Sequence, residues 1–292
     1  MIITIMHQNL NKSTKKHFTQ QEISFLTQNY LQGSVYCANV LNRSVKSIQN
    51  KCFRLNLKST SESRKKPRYK TPDNYAVNPN VFINPTTPEA CYILGLLWAD
   101  GSINNSTRNT RSIILSTTFP DSTVFYKIFL KTGSWRIFQK QYKPNWKPSV
   151  IISTNNRLLT DHLITHSYKT KNQSACSILS TIPNHLKHYW FRGVFDGDGC
   201  ITVNKAGSWR VCLSGPYEQD WKYIKSLFSE LKIKFVSKQA TSNKGHKSSH
   251  VRICKKTEIV VFMDYIYQNA NEDGLCLLRK YEKYQQMKKM IN

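Results

Sequence analysis

The feature that most constrains this chain is an internal repeat. Residues 92–103 read YILGLLWADGSI, and 98 residues further on residues 190–201 read WFRGVFDGDGCI. Glycine, acid, glycine and isoleucine return at the same spacing. The segments that follow also correspond. RSIILSTT (111–118) matches SWRVCLSG (208–215), and PSVIIST (148–154) matches SHVRICK (249–255); all four have strand character. DSTVFYKIFLKT (121–132) matches EQDWKYIKSLFSEL (218–231), and RLLTDHLITH (157–166) matches TEIVVFMDYIYQ (257–268), all helical in pattern. The shared order is helix–strand–strand–helix–strand–strand–helix, so residues 89–292 form one domain of two similar halves, 89–186 and 187–292. The fold class is α+β.

The repeated segment explains its own composition if it is a helix. Gly95 and Ala99 then share a face, as do Gly193 and Gly197, because residues four apart are neighbours on a helix. Small residues on one face let two helix backbones approach closely. Each helix ends in Asp-Gly, and Gly101 and Gly199 are expected as left-handed caps. Asp100 and Asp198 fall on last turns, where the helix dipole is already negative. Two carboxylates brought together there repel unless a cation lies between them. Oxygen-only ligation favours a hard ion, Mg²⁺ with Mn²⁺ as its substitute. A single Asp-Gly would be an ordinary turn; two copies, each opening a matching half, are not.

These residues resemble the LAGLIDADG homing endonucleases in their single-chain, two-motif form. The motif positions are Ile93-Leu94-Gly95-Leu96-Leu97-Trp98-Ala99-Asp100-Gly101 and Phe191-Arg192-Gly193-Val194-Phe195-Asp196-Gly197-Asp198-Gly199. The second copy follows the family pattern closely. The first departs at the sixth position, where Trp98 replaces an acid and is expected in the core or capping the helix pair. The resemblance implies two pseudo-symmetric αββαββα halves forming a saddle-shaped sheet that lies in the DNA major groove. It implies metal ligation by Asp100 and Asp198, with Asp196 not a ligand. It implies staggered, metal-assisted hydrolysis of one phosphodiester per strand, site-specific and tied to intron mobility. It also implies a lysine near each centre: Lys280, in CLLRKYEKY (276–284), and Lys171, in YKTKNQS (168–174).

Strand alternation supplies candidate readers of DNA. Trp209, Val211 and Leu213 point one way, and Ser208, Arg210 and Cys212 the other; Val251 and Ile253 alternate with His250, Arg252 and Cys254. Asn104, Arg111, Asn204, Lys205, Arg210 and Arg252 are the candidates, since a ribbon in the major groove can read base edges.

The N-terminal part is of a different kind. Thr19-Gln20-Gln21-Glu22 is a capping box that opens a helix, which Gly33 ends. A short helix over 35–41 and a third over 45–55, capped by Ser44, follow. The third carries Lys46, Gln49, Asn50 and Arg54 away from its apolar face. The segment 18–58 resembles SANT/Myb-like helix-turn-helix modules. Residues 59–88, with five prolines and a basic cluster at Arg64, Lys65, Lys66, Arg68 and Lys70, are expected as a linker.

Charge agrees with a polyanionic partner. Lys and Arg total 43 against 17 Asp and Glu, a net +26. Residues 1–70 hold 13 basic and 2 acidic side chains (+11), and residues 71–292 hold 30 and 15 (+15). The longest apolar stretch, Cys91–Ala99, is far short of the roughly 20 residues a membrane helix needs. The N-terminus is a poor signal peptide. Eight cysteines without CxxC or zinc-finger spacing suggest a reducing compartment, such as a bacterial or phage-infected cytoplasm or an organelle matrix. The expected partner is double-stranded DNA, bound by a monomer and not by a membrane. Two rival readings are a nuclease-inactive DNA-binding regulator and an RNA maturase acting on intron RNA. The ends, Met1 and Met-Ile-Asn, carry no splice-junction residues and speak against an intein.

Overall fold

The computed structural model describes residues 17–57, 76–105, 111–142, 145–170, 173–204, 207–242 and 245–290. Lys171 and Lys205, and the basic cluster of the expected linker, lie outside the described residues. The chain divides into two compact units, Met1–Lys70 and Thr71–Asn292.

The first unit has three helices: α1 (Gln20–Asn29), α2 (Ser34–Val40) and α3 (Val45–Arg54). The capping box forms as read: the Thr19 side chain accepts from the Glu22 N–H, and Glu22 accepts from the Thr19 N–H at 2.8 Å. Gly33 (φ 101°) turns the chain into α2, and Ser44 caps α3 through the Ser47 N–H. Leu26, Cys37, Ala38, Ile48 and Cys52 make a small core. Arg43 closes it. Its guanidinium bonds both oxygens of Glu22 at 2.9 Å and stacks 3.9 Å over the Phe18 ring. That bond holds the Glu22 carboxyl down at about 2.

The second unit begins earlier than composition suggested. Residues 76–88 were expected within a linker. Instead α4 (Asn80–Ile83) buries Phe82, Val77 bridges to Gly133, and the Asn156 amide donates to the Val77 carbonyl at 3.1 Å. Two apolar anchors among prolines leave no periodicity to find. Next come α5 (Pro88–Ala99), β1 (Ser102–Asn105), β2 (Arg111–Thr118), α6 (Thr123–Thr132), β3 (Arg136–Lys140), β4 (Ser149–Thr154) and α7 (Arg157–Thr165). After a short α8 (Cys176–Leu179), the order repeats: α9 (Lys187–Asp198), β5 (Gly199–Val203), β6 (Trp209–Gly215), α10 (Lys222–Glu230), β7 (Val236–Thr241), β8 (Lys247–Ile253) and α11 (Lys256–Tyr267). The chain closes with α12 (Ala270–Asp273) and α13 (Leu278–Lys289).

Both sheets are four-stranded and antiparallel, with the same order: β1-β2-β4-β3 and β5-β6-β8-β7. Register repeats as well. Asn104 pairs with Ser112 and Ser102 with Ile114, as Thr202 pairs with Arg210 and Cys200 with Cys212. Ile113, Leu115, Val150 and Ile152 of the first sheet, and Val211, Leu213, Val251 and Ile253 of the second, enter one continuous core. Among the described residues no helix is long and apolar enough to cross a membrane.

Helices α5 and α9 carry the core. Both are buried almost all round, which the repeat's apolar composition requires. They touch backbone to backbone. A Cβ on Gly95 would lie 2.1 Å from the Trp190 carbonyl oxygen, and one on Gly193 would lie 2.2 Å from that of Tyr92. A Cβ on Gly197 would meet Ala99. The order of these approaches shows that the two helices run in the same direction. Away from this seam, Arg192, fully buried, donates to the carbonyls of Ile266 (2.7 Å) and Leu275 (3.0 Å), to that of Gln268, and to Asp273 (3.0 Å). It thereby pins the turn after α11. Arg279 and Lys127 tie the halves together at the rim through Asp121 and the Asp273 carbonyl, each at 2.8 Å.

This seam generates a stability prediction. Gly193→Ala places a methyl against backbone that no rotamer change can move. It is expected to cost about 2–3 kcal/mol, read as a lowered denaturant midpoint with unchanged m-value.

Candidate active site and nucleic-acid surface

The seam determines where the two acids lie. Because α5 and α9 are parallel, their carboxyl ends coincide, and each runs directly into the first strand of its sheet. Asp100 is the C-cap of α5 (φ −104°, ψ −8°), its N–H bonded to the Leu96 carbonyl at 2.9 Å. Asp198 is the last residue of α9. Asp100 is exposed and Asp198 half-buried. The Asp100 Oδ2 approaches the opposite helix so closely that a Cβ on Gly197 would stand 3.2 Å from it. Both acids act electrostatically on the same ammonium, Lys280.

The glycines after the acids do not serve as left-handed caps. Gly199 is extended (φ −82°, ψ 151°), and Gly101 is not among the positive-φ residues. They are needed for space. A Cβ would fall 2.4 Å from the Leu97 carbonyl oxygen at Gly101, and 2.2 Å from the Phe195 ring at Gly199. The chain turns straight from helix into strand, leaving no room for a side chain.

The sixth motif positions face different surroundings. Trp98 is 2% exposed and packs edge-on against Tyr168 (5.1 Å) and Tyr223 (6.1 Å). Tyr168 donates to the Leu94 carbonyl at 3.0 Å. Asp196 is 1% exposed and accepts from the hydroxyls of Tyr92 and Tyr267, both at 2.7 Å, and from the Leu277 N–H at 2.8 Å. Burial pushes its carboxyl up, while Lys280 and these donors act against the shift.

Lys280 is itself 7% exposed. Its Nζ lies within hydrogen-bond distance of four carbonyls at the end of α9: Phe195 (2.9 Å), Asp196 (2.6 Å), Gly197 (3.2 Å) and Gly199 (2.6 Å). Burial draws its pKa down, and Asp196, Asp100 and Asp198 draw it up. Next to it, Cys200 and Cys212 face each other across β5 and β6. The Cys200 thiol is held below the usual thiol range, first by its hydrogen bond with Cys212, against desolvation and with help from the charges of Lys280 and Lys283. The sequence carried no sign of this thiol pair, because only register brings the two together. All eight cysteines are free. Among the described residues no three His, Cys, Asp or Glu side chains gather into a metal-binding group.

The candidate readers separate by face. Asn104, Arg210 and Arg252 lie on the outward faces of their sheets, opposite the core, with Arg210 exposed and Arg252 half-buried. The Arg252 Nε is buried without a partner. Arg111 does not join them. It alternates in phase with Ile113 and Leu115, so it points to the helical side, where it pairs with Asp161 of α7. Asn204 shapes the β5–β6 turn by accepting from the Ser208 N–H at 2.8 Å. In the first unit, Lys46, Gln49, Asn50 and Arg54 are all exposed on α3, and Gln49 reaches the Ser34 hydroxyl at 3.3 Å.

The Lys280 geometry yields a second prediction. Lys280→Met takes the ammonium away from the carbonyls that end α9 and leaves Asp196 without its buried counter-charge. It should cost about 3–5 kcal/mol, measured by denaturant unfolding, whether or not DNA is present.

No family model matches this chain, and no curated protein matches it. Solved structures do align with it. The LAGLIDADG meganuclease I-AabMI bound to uncleaved DNA covers 62% of this chain and 83% of its own, at 12% identity and a TM-score of 0.41. I-CpaMI, also a LAGLIDADG meganuclease bound to uncleaved DNA, covers 70% and 90% at 11% identity and a TM-score of 0.43. I-DmoI in complex with DNA and Mn covers 61% and 96% at 10% identity and a TM-score of 0.40. At such values, function rests on the residues of this chain.

Proposed function

We propose that this protein is a divalent-metal-dependent, site-specific endonuclease that cuts both strands of duplex DNA. One observation carries the reading. Two copies of one motif bring two carboxylates to a single point, at the carboxyl ends of parallel helices, where each helix enters a sheet. The outward face of the second sheet bears Arg210 and Arg252, and residues 71–292 have a net charge of +15. A pair of acids alone does not specify a nuclease. A pair placed between two strand-lined surfaces, in a strongly basic chain, suits a polyanion spanning both halves.

The donor set fits Mg²⁺ or Mn²⁺. Both side chains offer hard oxygens, both sit on negative helix ends, and Mg²⁺ commonly takes one or two carboxylates and completes its shell with water and phosphate. Asp100 and Asp198 would hold the ions. A bound ion there would polarise the scissile phosphate, generate the attacking hydroxide and stabilise the leaving oxygen. The remaining work belongs to the protein. Arg210 and Arg252 would fix register in the groove. Both acids come from one chain, so a monomer suffices to address both strands.

Lys280 is best read as a positioning residue, not as a group that touches the phosphate. Its ammonium is committed to the end of α9. From there it offsets the negative charge of that helix end and of both acids without occupying the space a phosphate needs. Lys171 keeps the role its resemblance implies as part of this proposal.

The test of the acids is direct. Wild-type protein is first given a randomised duplex library with Mg²⁺, and the cut ends are sequenced. Asp100→Asn or Asp198→Asn should then abolish double-strand cleavage of the selected site, while affinity in a gel shift stays within a few-fold. Normal cutting by either variant would remove that acid from the site. Retained binding with no cutting by the wild type would turn the reading to a nuclease-inactive regulator.

The first unit would extend the DNA interface. Its third helix exposes Lys46, Gln49, Asn50 and Arg54, and residues 1–70 carry +11. Tethering such a module raises affinity by effective concentration. Deleting residues 1–70 should shorten the nuclease-protection footprint. It should also flatten the salt dependence of binding, by about 0.9 in log–log slope for each phosphate that the shortened chain no longer neutralises.

A further inference from the structure

The two sheets share topology and register but not outward chemistry. In one rank across the second sheet the outward side chains are Val236, Arg252, Cys212 and Cys200; across the first they are Arg136, Ser153, Ile114 and Ser102. In the next rank the second sheet has Lys238, His250 and Ser214, whereas the first has Phe138, Ile151 and Ser116. At the equivalent central positions isoleucine therefore stands in place of cysteine, isoleucine in place of histidine, and phenylalanine in place of lysine. Ser112 likewise stands where the second sheet has Arg210.

Ile114 and Phe138 are not core, and Ile151, though buried, stands apart from the core cluster. Ile113, Leu115, Val150 and Ile152 are the strand residues that enter the core, and Ile114, Ile151 and Phe138 belong to no core cluster. Phe138 is 43% exposed on the outer strand. Ile151 is only 5% exposed although it faces away from the helices; its neighbours on that face, by register, are Phe138 and Ser116, with Ile114 one step along. Basic residues flank the trio on the same strand, Arg136 and Lys140, both exposed.

We propose that the outward face of the first sheet is a thymine-methyl reader, in which Ile114 and Phe138, set around the buried Ile151, recognise adjacent thymines in one half of the DNA target. The proposal rests on the reading above that both outward faces lie in the major groove. It follows from what that groove offers. The apolar group by which its floor marks a base is the thymine 5-methyl, and the other groups used to tell bases apart are hydrogen-bond donors or acceptors. An isoleucine or phenylalanine pressed on a G·C pair would desolvate guanine O6 and N7 and cytosine N4 without replacing their hydrogen bonds. Pressed on thymine, it buries methyls. The basic rim suits a phosphate-flanked floor. The other half of the target would be read by the polar face, through Arg210 and Arg252 to guanine.

The test uses the full chain and the duplex selected above, with binding measured in chelator so that no strand is cut. The half-site that responds to Arg210→Ala identifies the second half by elimination. Two or three consecutive thymines should occupy the centre of the other half-site. Replacing each by deoxyuridine removes one methyl and should weaken wild-type binding about fourfold, with two replacements together giving about fifteen-fold. Phe138→Ala, at an exposed edge position, and Ile114→Ser should each blunt that response, while the Arg210-dependent half keeps its preferences. Because the deoxyuridine change is made in the DNA, the test does not depend on any variant folding.

Three results would overturn the proposal. Sequence-specific binding with no deoxyuridine sensitivity in either half would refute the methyl reader and leave the endonuclease reading standing. A dimer in sedimentation velocity that Phe138→Lys dissociates would assign the face to a second copy of the chain. Selection that returns no preferred sequence would refute both readings together.

Discussion

The close approach of α5 and α9 is the interaction on which the rest of the second unit depends. No side chain separates the helices at Gly95 and Gly193, and at Gly197 the methyl of Ala99 and the Asp100 carboxylate lie against the backbone. A helix pair this tight has a limited choice of offset, because the glycines must face carbonyls of the partner. That choice settles three things together. It puts the two carboxyl ends side by side. It starts both sheets from one region of the molecule. It also leaves two flanks along the seam that the larger motif side chains must fill.

The two flanks are filled in different ways, and the sixth motif position is where they part. On one flank Trp98 meets Tyr168, Trp190 and Tyr223 in an aromatic cluster. On the other, Asp196 takes hydroxyl bonds from Tyr92 and Tyr267. A tyrosine closes the third helix of each half in both cases: Tyr168 beyond α7, Tyr267 at the end of α11. One copy has an apolar partner for it, the other a charged one. A buried carboxylate is costly unless fully bonded. Asp196 has three donors and a neighbouring ammonium, and that ammonium also closes the end of α9. Lys280 thus links the burial of one acid to the electrostatics of two others. The helix dipoles and the acids add like charge to one small region, and a cation fixed among the carbonyls offsets part of it.

Much of this was legible in the chain before folding, for a physical reason. The repeat records an approach of two backbones, and such an approach demands glycine at fixed spacing. Strand residues alternate because one face must be dry, so Arg210 and Arg252 could be assigned to the outward face from Val211, Leu213, Val251 and Ile253 alone. The capping box of α1 is local chemistry and formed where it stands. The misreadings share a cause, which is that pairing at a distance leaves no local mark. Arg111 looks like its outward neighbours in composition, but strand phase and Asp161, 50 residues away, draw it to the helical side. Lys280 is not among them: resemblance put it near a centre, and only its bonds to the end of α9 had no mark in the sequence. Residues 76–88 look like a linker because prolines outweigh Val77 and Phe82, the two side chains that anchor them. Gly101 and Gly199 were rightly singled out but for a different need: room, not a positive φ.

The halves are alike inside and unlike outside because joining them in one chain frees only the outward faces to differ. A homodimer presents the same face twice, so its target must mirror its own two-fold axis. Two halves joined in one chain are free of that condition, provided that the seam, the sheet order and the core residues are kept. Here they are kept: sheet order and register repeat at the equivalent positions, and the inward residues of both sheets are aliphatic throughout their centres. The outward positions have no such duty. Arg252, His250 and Lys238 occupy the positions equivalent to Ser153, Ile151 and Phe138, and the ladder register is the same in both sheets. A surface that can change without cost to the fold is where specificity can diverge. On the endonuclease reading proposed above, the chain suits a DNA target whose two halves differ in sequence, addressed by one scaffold used twice.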